Sequence, residues 1–260
     1  MDPIFRMLRY SENFQKNTTA NHAIMTLCQN LNLVATLPID RVAELSLTNS
    51  MTISRIVRKL GYQNYGEFKK AAKESTDRYY YQNRSIPICK LNEKDPAEAF
   101  LDYMEEMLVA MRNPEILSEI EPACKKLHEK KVIHYYGSQM HNIAITMLLH
   151  DLIVDGKEVH PYCETVSIEA DLELLGKDSL VLLAPNQYDM EVDLTRKIVD
   201  RTKKEKVELM LLCEMDHELL NYTTGPNLCY PGDHTSANVL FSQFLMNMVT
   251  MTYRKMYLDQ

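Results

Sequence analysis

From Lys131 onward short apolar runs alternate with helical patterns, and this alternation restricts the fold more than any other feature of the chain. Val132–Tyr136, Glu158–Cys163, Ser179–Ala184, Val207–Cys213 and Asn227–Tyr230 read as strands. Segments 139–154, 167–175 and 190–204, between the first four strands, carry helical periodicity. Near-continuous apolar strands joined by helices are buried on both faces, which is the pattern of a parallel sheet covered by helices. Two more helices, Pro96–Arg112 and Pro114–Lys130, are expected ahead of the first strand. The last segment, Thr235–Tyr257, is apolar nearly all round. It must bury more than one side, either in its own core or against a second subunit.

The first third follows a different pattern. Ala23, Ile24, Leu27 and Leu31 fall at helical spacing, and Pro38 can open a second helix with Ile39, Val42, Ala43 and Leu47 as its apolar side. Thr48, Asn49 and Ser50 supply capping side chains before a third helix, in which Ile53, Ile56, Val57 and Leu60 form one stripe ending at Gly61. Its opposite face centres on Met51, Arg55 and Arg58, flanked by Thr52, Ser54 and Lys59. Such a helix docks on two others and presents cations outward. A further helix near Gly66–Lys73 brings Lys69, Lys70 and Lys73. Between about Thr76 and Asp95 the periodicity lapses, and the stretch reads as a connector. The boundaries that follow are 1–78 for an all-α head, 79–95 for a linker and 96–260 for an α/β body with a five-stranded parallel sheet.

The charge divides the same way. The chain's net charge is −7, yet residues 1–90 hold 13 Lys/Arg against 7 Asp/Glu, and residues 91–260 hold 16 against 29. A basic module joined to an acidic one points to nucleic-acid or membrane contact through the basic part. No apolar run approaches the roughly 20 residues of a membrane span, and MDPIFRMLRY has no apolar signal core. Cys28, Cys89, Cys124, Cys163, Cys213 and Cys229 are scattered, against a disulfide framework. A cytoplasmic protein without membrane contact is expected.

The string Asn49-Ser50-Met51-Thr52-Ile53-Ser54-Arg55-Ile56-Val57-Arg58-Lys59-Leu60-Gly61-Tyr62, followed by Tyr65-Gly66-Glu67-Phe68-Lys69, resembles the N-terminal domain of the MurR/RpiR family of bacterial transcriptional regulators. That family carries T-V/I-x-R-F-x-x-K-L-G-F/Y and then G-F/Y-x-E-F-K. Thr52, Arg55, Lys59, Leu60, Gly61, Tyr62, Phe68 and Lys69 fall in register, and Ile56 stands where the family has Phe. The resemblance covers about residues 20–73. It implies a helix-turn-helix head whose third helix enters the major groove, with Ser50, Thr52, Ser54, Arg55, Arg58, Lys59 and Lys69 on DNA.

The family joins this head to a sugar isomerase (SIS) domain, a five-stranded parallel α/β sandwich that binds phosphosugars. The order and size of the second half fit it, but the ligand loops depart from it. After the first strand the family has G-x-G-S-S, where this chain has Gly137-Ser138-Gln139-Met140-His141. After the third strand it has S-x-S-G-x-T-x-E, where this chain has Ala184-Pro185-Asn186-Gln187-Tyr188-Asp189-Met190-Glu191, matching only at Glu191. Ser138, His141, Asn186, Gln187 and Glu191 remain as candidate ligand contacts, and Glu191 is equally explained by the helix dipole. Pro185 removes an amide donor and Asp189 places a carboxylate where a phosphate would lie, so an ordinary sugar phosphate is not expected to bind in the family's manner. His160 and Cys163 stand at metal-like spacing with no second pair following, and His134, near the first loop, reads as a packed histidine ahead of a ligand contact. No metal, no cofactor and no catalytic residue is expected. The reading is a sequence-specific transcriptional regulator of carbohydrate metabolism, a homodimer or homotetramer on double-stranded DNA with a sugar-related effector. The alternative is a SIS-fold sugar-phosphate isomerase or lyase carrying an accessory basic domain.

Overall fold

The computed structural model describes residues 3–12, 19–82, 95–137, 139–162, 165–185, 192–223, 225–232 and 237–259. Backbone contacts divide the chain into two compact units, Met1–Asn83 and Arg84–Gln260. No helix among the described residues is long and apolar enough to cross a membrane.

The first unit is all-helical: α1 (Pro3–Glu12), α2 (Thr19–Gln29), α3 (Leu31–Val34), α4 (Ile39–Leu45), α5 (Ser50–Lys59) and α6 (Tyr65–Gln82). Ala23, Ile24, Leu27, Val42, Ile53, Val57 and Phe68 meet in one core, as their spacing requires. Helix α1 has no counterpart in the sequence reading. It adds Met7 to that core, while Arg6 donates to the Leu60 carbonyl at 2.9 Å and its guanidinium lies 4.6 Å from the Tyr62 ring centre. The second difference lies at the other end of the unit. Helix α6 continues through Thr76 and the tyrosines to Gln82, past the point where the periodicity lapses. Its start is well marked, because Asn64 Oδ1 accepts the Glu67 amide at 3.0 Å and the Glu67 carboxylate accepts the Gln63 amide at 2.6 Å.

The second unit opens with α7 (Pro96–Ala110) and α8 (Pro114–Glu129), each with Pro in its first turn behind a capping Asp95 or Asn113. There follow β1 (Val132–Gly137), α9 (Gln139–Val154), β2 (Glu158–Tyr162), α10 (Thr165–Asp171), β3 (Ser179–Ala184), α11 (Val192–Glu205), β4 (Glu208–Glu214), β5 (Leu228–Tyr230) and α12 (Asn238–Tyr257). The five strands are all parallel, in the order β2-β1-β3-β4-β5. One face buries Ile133, Tyr135, Leu180, Leu182 and Leu212 under α8, α9 and α12, and the other buries Tyr136, Val181, Leu183 and Leu211 with Ile168 and Ile198. Pro161 has no N–H to donate and sits in β2, an edge strand, where the loss is tolerated.

Helix α12 packs within its own chain, burying Phe241, Leu245, Met246, Val249 and Tyr253. Its C-terminal half is also anchored by polar groups. Arg254 binds Asp151 of α9 through two nitrogens, at 2.6 and 3.0 Å, and Tyr253 donates to Asp155 at 2.5 Å. Leu240, Phe244 and Met251 remain exposed along a second stripe.

Candidate nucleic-acid interface and ligand crevice

The turn between α4 and α5 is built by side chains. Asn49 has extended backbone angles and its Oδ1 accepts the Thr52 amide at 2.9 Å and the Thr52 hydroxyl at 3.1 Å. That satisfies a donor of the first helical turn and fixes where α5 begins. The Ser50 hydroxyl donates to Asp40 in the first turn of α4, clamping the two helices at their near ends. Leu47 takes a left-handed backbone, φ 49°, so that the chain can reverse, although it carries a branched side chain that stays exposed. Helix α5 closes on Gly61 at φ 88°, with the Tyr62 amide bonded to the Val57 carbonyl at 3.2 Å. Only glycine takes that conformation without strain.

With Ile53, Ile56 and Val57 buried, the other side of α5 is committed to solvent. Met51, Arg55, Arg58 and Lys59 are exposed there, and Ser50, Thr52 and Ser54 are half-buried at its margins. Among the described residues, Arg55, Arg58 and Lys59 make no ion pair. Lys69 is placed differently: its ammonium donates to the Thr36 carbonyl at 2.7 Å, tying α6 to the end of α3. The structure thus gathers six of the seven residues assigned to DNA on one helix, gives two of them internal bonds, and sets the seventh on a neighbouring helix with one donor engaged.

In the second unit the strand order reverses between β1 and β3, and in parallel sheets ligands enter at such a reversal, beyond the carboxyl ends of the strands. Those ends are Gly137 and Ala184, paired in register. Packing is tight there. A β-carbon on Gly137 would fall 2.2 Å from the Tyr135 hydroxyl and 3.2 Å from the Ala184 side chain. Ser138, Asn186, Gln187 and Glu191 lie outside the described residues. His141 belongs to α9, but its side chain lies outside them as well. At the same edge of the sheet, β4 ends on a buried carboxylate, Glu214, which accepts a hydrogen bond from Asn238 at the start of α12. Sequence alone did not single out Glu214, because a lone Glu closing an apolar strand resembles any solvated strand end.

A second polar cluster lies under α10. His134 of β1 and His160 of β2 are register partners, and each turns Nδ1 toward the carboxylate of Asp171, at 2.6 and 2.7 Å. Their Nε2 atoms meet the Ser179 hydroxyl at 3.1 Å and Glu158 at 2.8 Å, and the Tyr136 hydroxyl donates to Asp171 at 2.8 Å. Burial holds the His134 imidazolium below its usual range against the pull of Asp171. For His160 burial acts the same way but is outweighed by Glu158 and Asp171, which raise it. Burial, then the bond to Asp171, pushes the Tyr136 phenol up.

No family model and no curated protein matches this sequence. Solved structures do. The Vibrio vulnificus NanR protein complexed with ManNAc-6P aligns with a TM-score of 0.50 at 15% identity, over 99% of this chain and 93% of that one. The sugar isomerase domain of an RpiR transcription factor from Sphaerobacter thermophilus aligns with a TM-score of 0.52 at 14% identity, over 63% of this chain and 92% of that one. The second unit shares the α/β fold of the sugar isomerase domain, and the likeness to the Vibrio vulnificus protein extends over the helical first unit as well.

Proposed function

We propose that this protein is a sequence-specific, DNA-binding transcriptional regulator whose sugar isomerase-type unit holds two subunits together and senses a sugar-related metabolite, without catalysing a reaction. One observation carries the reading. Helix α5 is capped at Asn49, stopped at Gly61, buried on Ile53, Ile56 and Val57, and turns Arg55, Arg58 and Lys59 to solvent. Arg and Lys bond phosphates and guanine edges, and Ser and Thr hydroxyls bond either. A solvated helix has no need of a built cap, a clamped turn and a cationic outer face together.

The body supplies the rest of the reading. Leu240, Phe244 and Met251 on α12 and Ile143 and Met147 on α9 leave apolar surface exposed on two helices that pack together. Self-association covers such surface and gives the head a two-fold partner. The Vibrio vulnificus relative was solved with ManNAc-6P, and a sugar-related molecule at the β1/β3 crevice is the corresponding effector here. Glu214 at that edge and Pro185 after β3 favour a ligand without a phosphate dianion. The test is selection of duplexes from a random pool by the full chain. Enrichment of paired half-sites one helical turn apart, about 34–36 Å or a multiple, is expected. A pool that stays random overturns the reading.

A further inference from the structure

Three side chains that are far apart in sequence converge under α10, and together they have the composition of a metal site. We propose that His134, His160 and Asp171 bind a divalent transition-metal ion, Zn2+ in the first place, through the two Nδ1 atoms and one carboxylate oxygen. The three donor atoms all lie within 4.8 Å of one another. Two imidazoles and one carboxylate are the ligand set of an open zinc site, in which a water completes the tetrahedron.

What separates this cluster from an ordinary buried ion pair is its outer ring. Metal-bound histidines donate their other N–H to a carboxylate or another oxygen, which fixes the ring and its tautomer. Here His160 Nε2 faces Glu158 at 2.8 Å, and His134 Nε2 faces the Ser179 hydroxyl at 3.1 Å. Tyr136 holds Asp171 through a third bond at 2.8 Å. With metal on Nδ1 each ring carries its proton on Nε2, where an oxygen already stands to accept it. The remaining change is small. His134 Nδ1 stands 2.6 Å from Asp171 Oδ2 and His160 Nδ1 stands 2.7 Å from Oδ1; the ion takes one of these oxygens, and the three ligand atoms must settle about 3.3 Å apart, the edge of a tetrahedron of ligands 2.0–2.1 Å from the ion. The site can adjust because His160 lies on an edge strand and keeps 16% of its side chain in contact with solvent, which also gives the ion its way in. His134 is fully buried and Asp171 nearly so, which excludes competing water from two of the three ligands. The ion would fasten the edge strand β2 and helix α10 to β1.

The experiment uses the full chain, stripped with chelator, titrated with Zn2+ by calorimetry and assayed for bound metal after gel filtration. One Zn2+ per chain is expected, and Co2+ in its place should show visible bands of tetrahedral intensity. His160→Asn should weaken binding at least 100-fold. Glu158→Gln replaces no ligand but removes the carboxylate behind His160, and should weaken it about 10- to 100-fold. Both substitutions lie at the edge strand, and circular dichroism reports whether the fold is kept. His150→Asn, at an exposed histidine outside the cluster, should bind as the wild type does. The proposal is overturned if no ion is retained, or if binding is unchanged in both His160→Asn and Glu158→Gln.

Discussion

The ammonium of Lys69 donates to the backbone carbonyl of Thr36 at 2.7 Å, across 33 residues of sequence. That bond fastens α6 to the end of α3, just ahead of the turn that leads into α4. It uses one of three donors, so the remaining two can reach a phosphate. Lys69→Met should lower the stability of the head by about 1 kcal/mol, the net worth of one such bond. It should also weaken binding to all duplexes alike and reduce the salt slope by about one unit. Denaturation and salt titrations check the two effects, and a change confined to one base position would show that Lys69 reads sequence instead.

Leu47 holds a left-handed backbone in the turn between α4 and α5, at φ 49°. An L-residue with a side chain pays about 1–2 kcal/mol for that conformation, while glycine does not. The side chain is 81% exposed, so little packing is lost with it. Leu47→Gly is expected to stabilise the head by up to about 1 kcal/mol and so to raise its denaturation midpoint. A lower midpoint would mean that Leu47 serves as a contact.

Asp155 joins three elements, accepting from Tyr253 at 2.5 Å and meeting His128 at 2.8 Å and Lys157 at 3.4 Å. Burial alone would raise its carboxyl, but the Tyr253 and His128 bonds and the Lys157 charge outweigh burial and leave it below its ordinary value. A carboxyl lowered by folding stabilises the folded state above its unfolded value, about 3.9, and that contribution is lost as pH falls through the folded value. Asp155→Asn should therefore be less stable than the wild type at pH 7, where the carboxylate is charged and bonded to Tyr253 and His128. The gap between wild type and variant should begin to close near pH 4 and vanish only below the folded value of the carboxyl. A gap independent of pH would assign the loss to packing.

The crevice makes a chemical prediction. Pro185 offers no amide after β3, and Glu214 buries a carboxylate at the same edge of the sheet. Both work against a phosphate dianion, which is held by converging amide donors and a positive field. Thermal-shift titration with hexose and amino-sugar phosphates should give no specific binding tighter than about 100 μM, a level worth roughly 5.5 kcal/mol. Tight binding abolished by Ser138→Ala would contradict this.

The residues show why some features were readable and others were not. Val132–Gly137, Ser179–Ala184 and Gln139–Val154 appear almost where the hydrophobic pattern puts them, because buried parallel strands and their covering helices have no polar face to blur the signal. Asn49 and Gly61 mark α5 for an equally local reason, since caps act within one turn. Helix α1 escaped because, among its described residues, Met7 is the one it adds to the buried cluster, with Ile4 and Tyr10 only partly buried against it, and α6 runs on past the last apolar residues of its pattern. The His134–Asp171–His160 cluster depends on strand register, which no local spacing reveals: Asp171 is 37 residues from one partner and 11 from the other.

The most direct test of DNA reading by α5 is the affinity of Arg55→Ala for the duplex that the wild type selects. If Arg55 contacts a base edge, the substitution costs roughly 1–3 kcal/mol and relaxes preference at one position of each half-site. The protein should otherwise stay folded, because Arg55 is exposed and lies opposite the buried stripe. Unchanged affinity and specificity at physiological salt, or a wild type that prefers no duplex over random DNA, would contradict the account.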